Sequence, residues 1–380
     1  MGPCTSEFRE YVENVTESEL FSPLHDRHTA LNAKLGDFGG WLMPIEYSGT
    51  VAEHTSVREA VGIFDVSHLG KVSVQGEGAA EFLNTVLTND LNRIAPGQAQ
   101  YTLLCNDSGG VIDDLIAYLD GPNDVFLIPN ASNTAEVVQV LKASAPDGIS
   151  IINQHRDFAV LAVQGPRSAE VMKALGLPHE LGYMSFERGS LNGTPLTVCR
   201  TGYTGEHGYE LVIESAQGAA LWDALLNAGE PLGMLPCGLG ARDTLRTEMG
   251  YPLHGQDLSV DISPVEAGAS WAVGWSKPAF HGREVLTAQR AAGAPRSSVG
   301  LRALERGIPR QHMQVLDASG AAIGEVTSGT FSPTLKEGIA LALVDSSAGL
   351  APGAEVVIDV RGRPARYVVT KPPFVDSNPR

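Results

Sequence analysis

Cysteine is sparse in this 380-residue chain: Cys4, Cys105, Cys199 and Cys237 lie far apart, and no Cys-x-x-Cys pair occurs. A disulfide scaffold and a thiolate zinc site are therefore not indicated, and the four read as free thiols in a reducing compartment, Cys105 and Cys199 as small buried hydrophobes. Positive charge is also short. With 27 Lys plus Arg against 44 Asp plus Glu, the formal net charge is −17. That balance argues against a nucleic-acid wrapper or a binder of anionic membranes, although it leaves room for a local basic pocket. No apolar run is long enough to span a bilayer. The first residues lack the basic segment and apolar core of a secretory leader. The expectation is a cytoplasmic protein that engages neither nucleic acid nor membrane, with residues 1–22 as a flexible extension. The glycine spacing around GYTGE fits neither a phosphate loop nor a dinucleotide fingerprint.

What is present is an ordinary globular composition, 43% hydrophobic, with 42 Gly and 23 Pro. Many turns, much sheet and two or three domains follow from that composition and length. The most informative stretch is 101–119, YTLLCNDSGGVIDDLIAYL. It reads as a hairpin: strand 101–105, a turn of Asn, Asp, Ser and two glycines, and strand 111–119. Asp113 and Asp114 interrupt the second strand, and period-2 alternation sends them to opposite faces. A carboxylate facing apolar neighbours is either satisfied by donors or used in chemistry.

Elsewhere, helical spacing is expected over 24–35, 50–61, 78–87, 131–142, 219–228 and 239–248, with Asn130 either capping its helix or turning its amide into a pocket. Strand signals restart at 149, and 183–188 reads as a further strand. Arg242 and Arg246 are i,i+4 and share a face, so that one can form a salt bridge while the other holds a carboxylate. His54, Asp65 and His68 match no metal-ligand spacing. After 291–298 the chain becomes a series of short alternating runs separated by Gly, Pro and Asp, the pattern of a small barrel or sandwich.

Six stretches in order, FGGWLMPIEY, VREAVGIFDVSHLG, YTLLCNDSGGVIDDLI, RTGYTGEHGYEL, LGARDTLRTEMGYPLHG and TSGTFSPTLKEGIALALV, with a closing KPPFV, resemble the T-protein of the glycine cleavage system, the aminomethyltransferase family. The Cys-containing motif of the related iron–sulfur-biogenesis folate protein is absent where GYTGEHGYE stands. The resemblance implies an α+β fold of three domains in a cloverleaf, with a ferredoxin-like domain and a C-terminal β-barrel around a central folate cavity. The boundaries it suggests are 23–65 with 149–235 for the first domain, 66–148 with 236–292 for an interwoven second, and 293–376 for the barrel. The implied reaction transfers the methylene carbon of the aminomethyl-dihydrolipoyl arm of H-protein to tetrahydrofolate, releasing ammonia. The lipoyl group comes from the partner, and no metal is needed. Functional association with the glycine dehydrogenase P-protein and dihydrolipoyl dehydrogenase, and a monomeric state, come with the same resemblance. Residue by residue it makes Asp114 the central acid and puts Tyr101, Tyr118, Asn130, Tyr183, Tyr203, Glu210 and Arg242 around the folate, Glu210 reading the pterin's donor edge and Arg242 a carbonyl or carboxylate. His207 and His254 stand where many relatives carry other polar residues. The alternatives are a folate-dependent demethylase, which needs a different donor pocket, and a non-catalytic folate-binding regulator.

Overall fold

A computed structural model describes residues 20–380, and these form three sheets and a closed barrel. The first sheet has six strands in the order Phe186–Leu191, Thr194–Cys199, Gly208–Glu214, Phe158–Gln164, Gly62–Asp65 and Leu235–Cys237. The last pair is parallel and the others are antiparallel. A second sheet orders five strands as Gln98–Cys105, Val111–Gly121, Asp124–Ile128, Val72–Gln75 and Ser150–Asn153. Near the N-terminus, Leu20–Phe21, Trp41–Glu46 and Lys34–Phe38 make a small third sheet. Six strands from Arg296–Ala303 to Pro364–Thr370 close the barrel, the first pairing with the last.

The central hairpin forms as its alternation requires. Leu103 lies opposite Asp114 and Leu104 opposite Asp113, while Val111, Leu115 and Ala117 are buried. Asn106 holds the turn, its side-chain oxygen accepting from the N–H groups of Ser108 and Gly110. Only glycine fits at 110, where a Cβ would lie 1.8 Å from the Val260 carbonyl oxygen. Behind the sheet, Phe82, Leu83 and Val86 of the helix Ala79–Val86 and Val137, Val138 and Leu141 of the helix Thr134–Ser144 complete one core. Two further cores flank the six-stranded sheet, and a fourth fills the barrel.

Several local expectations change. Helix 24–35 shortens to His25–Ala30, because Asn32 takes a left-handed backbone (φ 55°) and 34–38 pairs back on Trp41–Glu46 through the Gly39–Gly40 turn. Residues 1–19 of the expected extension lie outside the described residues. The remaining three are built into the fold: Leu20–Phe21 is parallel to Trp41–Glu46, and the Ser22 hydroxyl donates to Asp65. The strand that restarts at 149 pairs with Val72–Gln75 in the five-stranded sheet, so the chain returns to the six-stranded sheet only at Phe158. The strand near 183 begins at Phe186, since Met184 is left-handed (φ 59°) and leaves Tyr183 in the preceding loop.

The helix Leu239–Met249 sits between three neighbours rather than inside the second unit. It packs on the helix Thr50–Glu59, on Trp41–Glu46 and on the barrel strand Ala322–Ser332. Its entry is tight: a Cβ on Gly238 would meet the Ile45 carbonyl oxygen at 2.2 Å, and the helix ends where Gly250 turns left-handed (φ 69°). Glu248, fully buried, ties this helix to the helix Thr50–Glu59 and to the barrel. It accepts from Arg58 Nη2 at 2.8 Å, from Ser332 Oγ at 2.5 Å and from Thr334 Oγ1 at 3.0 Å, with His54 Nε2 at 3.3 Å.

Burial alone would raise the Glu248 carboxyl, but the His54 hydrogen bond, the charges of His54 and Arg58 and the Ser332 bond hold it down at about 2, from an ordinary 4.5. A carboxyl lower in the folded than in the unfolded chain stabilises above the unfolded value and loses that stabilisation as pH falls through the folded one. The contribution of Glu248 to stability should therefore be constant above about pH 5, with about 3 kcal/mol of it lost between roughly pH 4.5 and 2. Glu248→Gln, scanned over the same pH series, should flatten that limb relative to wild type.

Candidate functional site

The six-stranded sheet, the five-stranded sheet, the helix Leu239–Met249 and the loop 250–275 converge on a cavity of about 480 Å³. Tyr101, Asp114, Tyr118, Asn130, Tyr183, Tyr203, Glu210 and Arg242 all line it. They come from three strands, one helix and three loops, so only the tertiary fold assembles them.

The adjacent acids separate by environment. Asp113 is fully buried and saturated with donors: Asn130 N at 2.9 Å and Asn130 Nδ2 at 2.8 Å, and Asn133 Nδ2 at 2.7 Å. Asp114 opens to the cavity and accepts from Tyr101 OH at 3.0 Å and Asn130 Nδ2 at 2.9 Å. Burial raises the Asp114 carboxyl above the usual carboxylate range, against the charge of His254 and the Tyr101 and Asn130 bonds. An acid held there, in contact with the cavity, is suited to taking and returning a proton. Burial and the negative charge of Asp114 push the Tyr101 phenol well above its usual value, so it stays a donor.

Asn130 thus aims its amide at the acids rather than capping a helix, which starts at Thr134 with Asn133 before it. Across the cavity, Glu210 is 8% exposed and accepts from Thr201 Oγ1 at 2.5 Å, and that hydroxyl lies 3.3 Å from Tyr118 OH. Part of the Glu210 carboxylate is thereby fixed in orientation, with its remaining acceptor capacity available to a ligand.

The two arginines divide as i,i+4 neighbours can. Arg246 is tied to Asp243 at 2.7 Å and Asp257 at 2.9 Å. The Arg242 guanidinium lies 4.5 Å from the Tyr203 ring centroid, with no carboxylate of a described residue in salt-bridge reach. Tyr203 is itself anchored, its hydroxyl donating to the Pro252 carbonyl and its ring stacked on Tyr251. Burial lowers the Arg242 group from its ordinary value while the charge of Glu210 opposes this, and the planar fork remains free for an oxygen-bearing ligand.

Three cavity features lay outside the sequence expectation. Trp271, 67% exposed, stacks on Tyr101 with centroids 5.2 Å apart and forms part of the rim. Asn133 joins Asp113 to His254, whose Nδ1 lies 2.9 Å from the Asn133 amide while Nε2 faces the Val111 carbonyl oxygen. His68 lines the wall near Phe38. The run PNASNT, with two amides three residues apart, was the one legible signal for Asn133; nothing local marked Trp271.

Among the described residues no three His, Cys, Asp or Glu side chains cluster as a metal site, and no helix is long and apolar enough to cross a membrane. Burial pushes the Cys105 thiol up to about 12 and raises Cys199 and Cys237 as well, so none of these three is activated as a nucleophile. Aromatic walls, one cavity acid, one acceptor carboxylate and one unpaired guanidinium together suit a flat heterocycle with a donor edge and a nearby carbonyl or carboxylate.

Residues 24–277 match the family model for the GCVT N-terminal domain, and 296–376 match the glycine cleavage T-protein C-terminal barrel domain. An aminomethyltransferase from Parafrankia sp. (strain EAN1pec) is 62% identical over 94% of the chain and 98% of its own length. One from Mycobacterium bovis is 58% identical, covering 94% and 97%. The crystal structure of glycine cleavage system aminomethyltransferase T from Bartonella henselae superposes with a TM-score of 0.89 at 34% identity, over 95% of this chain and 99% of that one.

Proposed function

Since the chain belongs to the glycine cleavage T-protein family and is an aminomethyltransferase, we propose that its cavity binds tetrahydrofolate and admits the aminomethyl-dihydrolipoyl arm of H-protein. Family membership carries folate use and partnership with H-protein; the identity of the folate and the arm is the finer reading. The observation that carries it is that Glu210, Asp114 and an Arg242 with no carboxylate of a described residue in reach line the same cavity.

Tetrahydrofolate, when bound, supplies the N5 and N10 nitrogens that accept the carbon. Glu210, oriented by Thr201, accepts from the donor edge of the pterin, and the Arg242 fork donates to a carbonyl or carboxylate oxygen. Tyr101, Tyr118, Tyr183 and Tyr203 are the aromatic and hydroxyl-bearing walls that limit its tilt. Asp114 provides the negative charge beside the reacting carbon and takes a proton as the bond to carbon forms. Tyr101 and Asn130 keep its carboxylate aimed inward. The balanced outcome is 5,10-methylenetetrahydrofolate, ammonia and dihydrolipoyl H-protein. In the same reading the enzyme works as a cytoplasmic monomer, in functional association with the glycine dehydrogenase P-protein and dihydrolipoyl dehydrogenase.

The deciding assay mixes purified protein with tetrahydrofolate and aminomethylated H-protein and quantifies ammonia and methylenetetrahydrofolate. Stoichiometric formation of both is expected; ammonia release without the folate product would sink the reading. Tetrahydrofolate at 100 times its dissociation constant should also stabilise the fold by about 3 kcal/mol. Arg242→Lys keeps the charge but loses the planar fork, so its affinity should fall about tenfold, a loss of about 1.4 kcal/mol in binding. Thermal unfolding with and without ligand reads both; undiminished protection in the variant would remove Arg242 from the binding set.

A further inference from the structure

Among the described residues, two histidines have a sealed ring nitrogen without a partner: His25, half-buried and away from the cavity lining, and His68, which lies on it, while the other two fully buried histidines are saturated. His28 has Asp65 on Nε2 and Tyr47 on Nδ1, and His54 has Thr334 and Thr244 on its two nitrogens. His68 departs from that pattern. It is 1% exposed, its Nδ1 is buried without a partner, and its ring makes no hydrogen bond to any described residue. A sealed, unpaired polar atom costs stability.

The surroundings give this ring a use. It lies in the turn after Gly62–Asp65, is held edge-on by Phe38 at 5.2 Å, and forms part of the cavity wall. The backbone at this position is pinned as well: the His68 carbonyl oxygen accepts from His155 Nε2, and the Gly70 N–H donates to Pro129 O. The ring is therefore placed by the fold while its nitrogens are left unassigned. Burial, reinforced by the charge of Arg242, pushes the imidazole down to about 3, so it is neutral at physiological pH. A neutral imidazole carries one donor and one acceptor, and the choice of tautomer follows whichever nitrogen is engaged. Here no group of a described residue makes that choice.

We propose that His68 is a positioning residue for the bound acceptor: its imidazole makes one hydrogen bond to the polar edge of the pterin ring, beside the group held by Arg242, and that bond fixes the tautomer. The inference rests on the folate reading of the cavity. A pterin edge alternates donors and acceptors, so a flipped ring would set acceptor against acceptor at Glu210 or donor against donor at Arg242. A third contact adds affinity to the orientation that Glu210 and Arg242 select. The effect is on how the acceptor sits rather than on the proton steps, which remain with Asp114.

The full chain labelled with ¹⁵N in its histidine rings provides the test. His68 resonances are assigned as those lost in His68→Phe or, should that variant fail to fold, in His68→Gln. Saturating tetrahydrofolate should move them to the shifts of a single tautomer. His68→Phe keeps the shape of the ring without its nitrogens and should raise the KM for tetrahydrofolate about tenfold, the effect of about one lost hydrogen bond. Its KM for aminomethylated H-protein should stay within twofold, and His68→Gln should recover part of the folate affinity. Unmoved His68 resonances at saturation, or folate affinity within twofold of wild type in folded His68→Phe, would overturn the proposal while leaving the folate site intact. Failure of the wild-type chain to bind tetrahydrofolate at all would overturn both.

Discussion

Asp114→Asn is expected to lower methylenetetrahydrofolate formation by about 10²–10⁴-fold, the range for loss of a positioned acid–base group, while tetrahydrofolate still protects the fold. The amide keeps the size of the side chain and can still meet Tyr101 and Asn130. It has no negative charge and cannot take a proton. The neighbouring Asp113→Asn should behave differently. Three N–H donors point at Asp113 in a sealed site. An amide nitrogen there would confront one or more of them, so stability falls first and turnover follows only through misplacement of Asn130. Comparing kcat and thermal unfolding in both variants separates the roles. Equal kcat losses in two folded proteins would mean that Asp114 is not the central acid.

Glu248→Ala should be the most destabilising single change outside the cavity, by about 3–5 kcal/mol, the range for stripping one partner from a buried ion pair. Arg58 would lose the better of its two carboxylates and keep only Glu206. Ser332 and Thr334 of the barrel would lose their anchor on the helix that carries Arg242. Denaturant unfolding measures the loss, and tetrahydrofolate affinity should drop with it because the helix is shared. A loss below about 1 kcal/mol would show that this cluster does not hold the barrel, leaving its apolar contacts and the bonds of Thr327 and Ser328 to Asp257.

Elements whose signal is periodic were legible in the chain. The hairpin 98–121, the six barrel strands and the helix Leu239–Met249 follow from alternation, turn residues and helical spacing. The division of labour between Arg242 and Arg246 was readable as a possibility, but which arginine stayed free depended on Asp257, which sequence spacing alone could not place opposite Arg246. The same holds for the acids: alternation separates Asp113 from Asp114, and only the placement of Asn130 and Asn133 shows which one is saturated. Strand pairing at 150–153 was illegible because a strand of four residues carries no mark of the sheet it joins. Trp271 stayed hidden for a related reason, since its contact with Tyr101 spans the cavity rim and leaves no local pattern.

The Asn130 amide has one further property, which comes from counting hydrogens. Its nitrogen carries two hydrogens, yet three oxygens stand at 2.8–2.9 Å from it: Asp113 Oδ1, Asp114 Oδ1 and the Asp114 carbonyl. At any instant one of those contacts has no hydrogen along it, or two share one. The three acceptors around this amide are therefore short by one hydrogen, although the heavy atoms look fully coordinated. Nothing in the wall supplies the missing hydrogen to Asp114 beyond the single hydroxyl of Tyr101. A protonated nitrogen or an incoming proton on the cavity side completes the set. An N–H or a positive charge arriving from the cavity side would leave the amide hydrogens to the remaining acceptors, a consequence of hydrogen count and not of the cavity's shape.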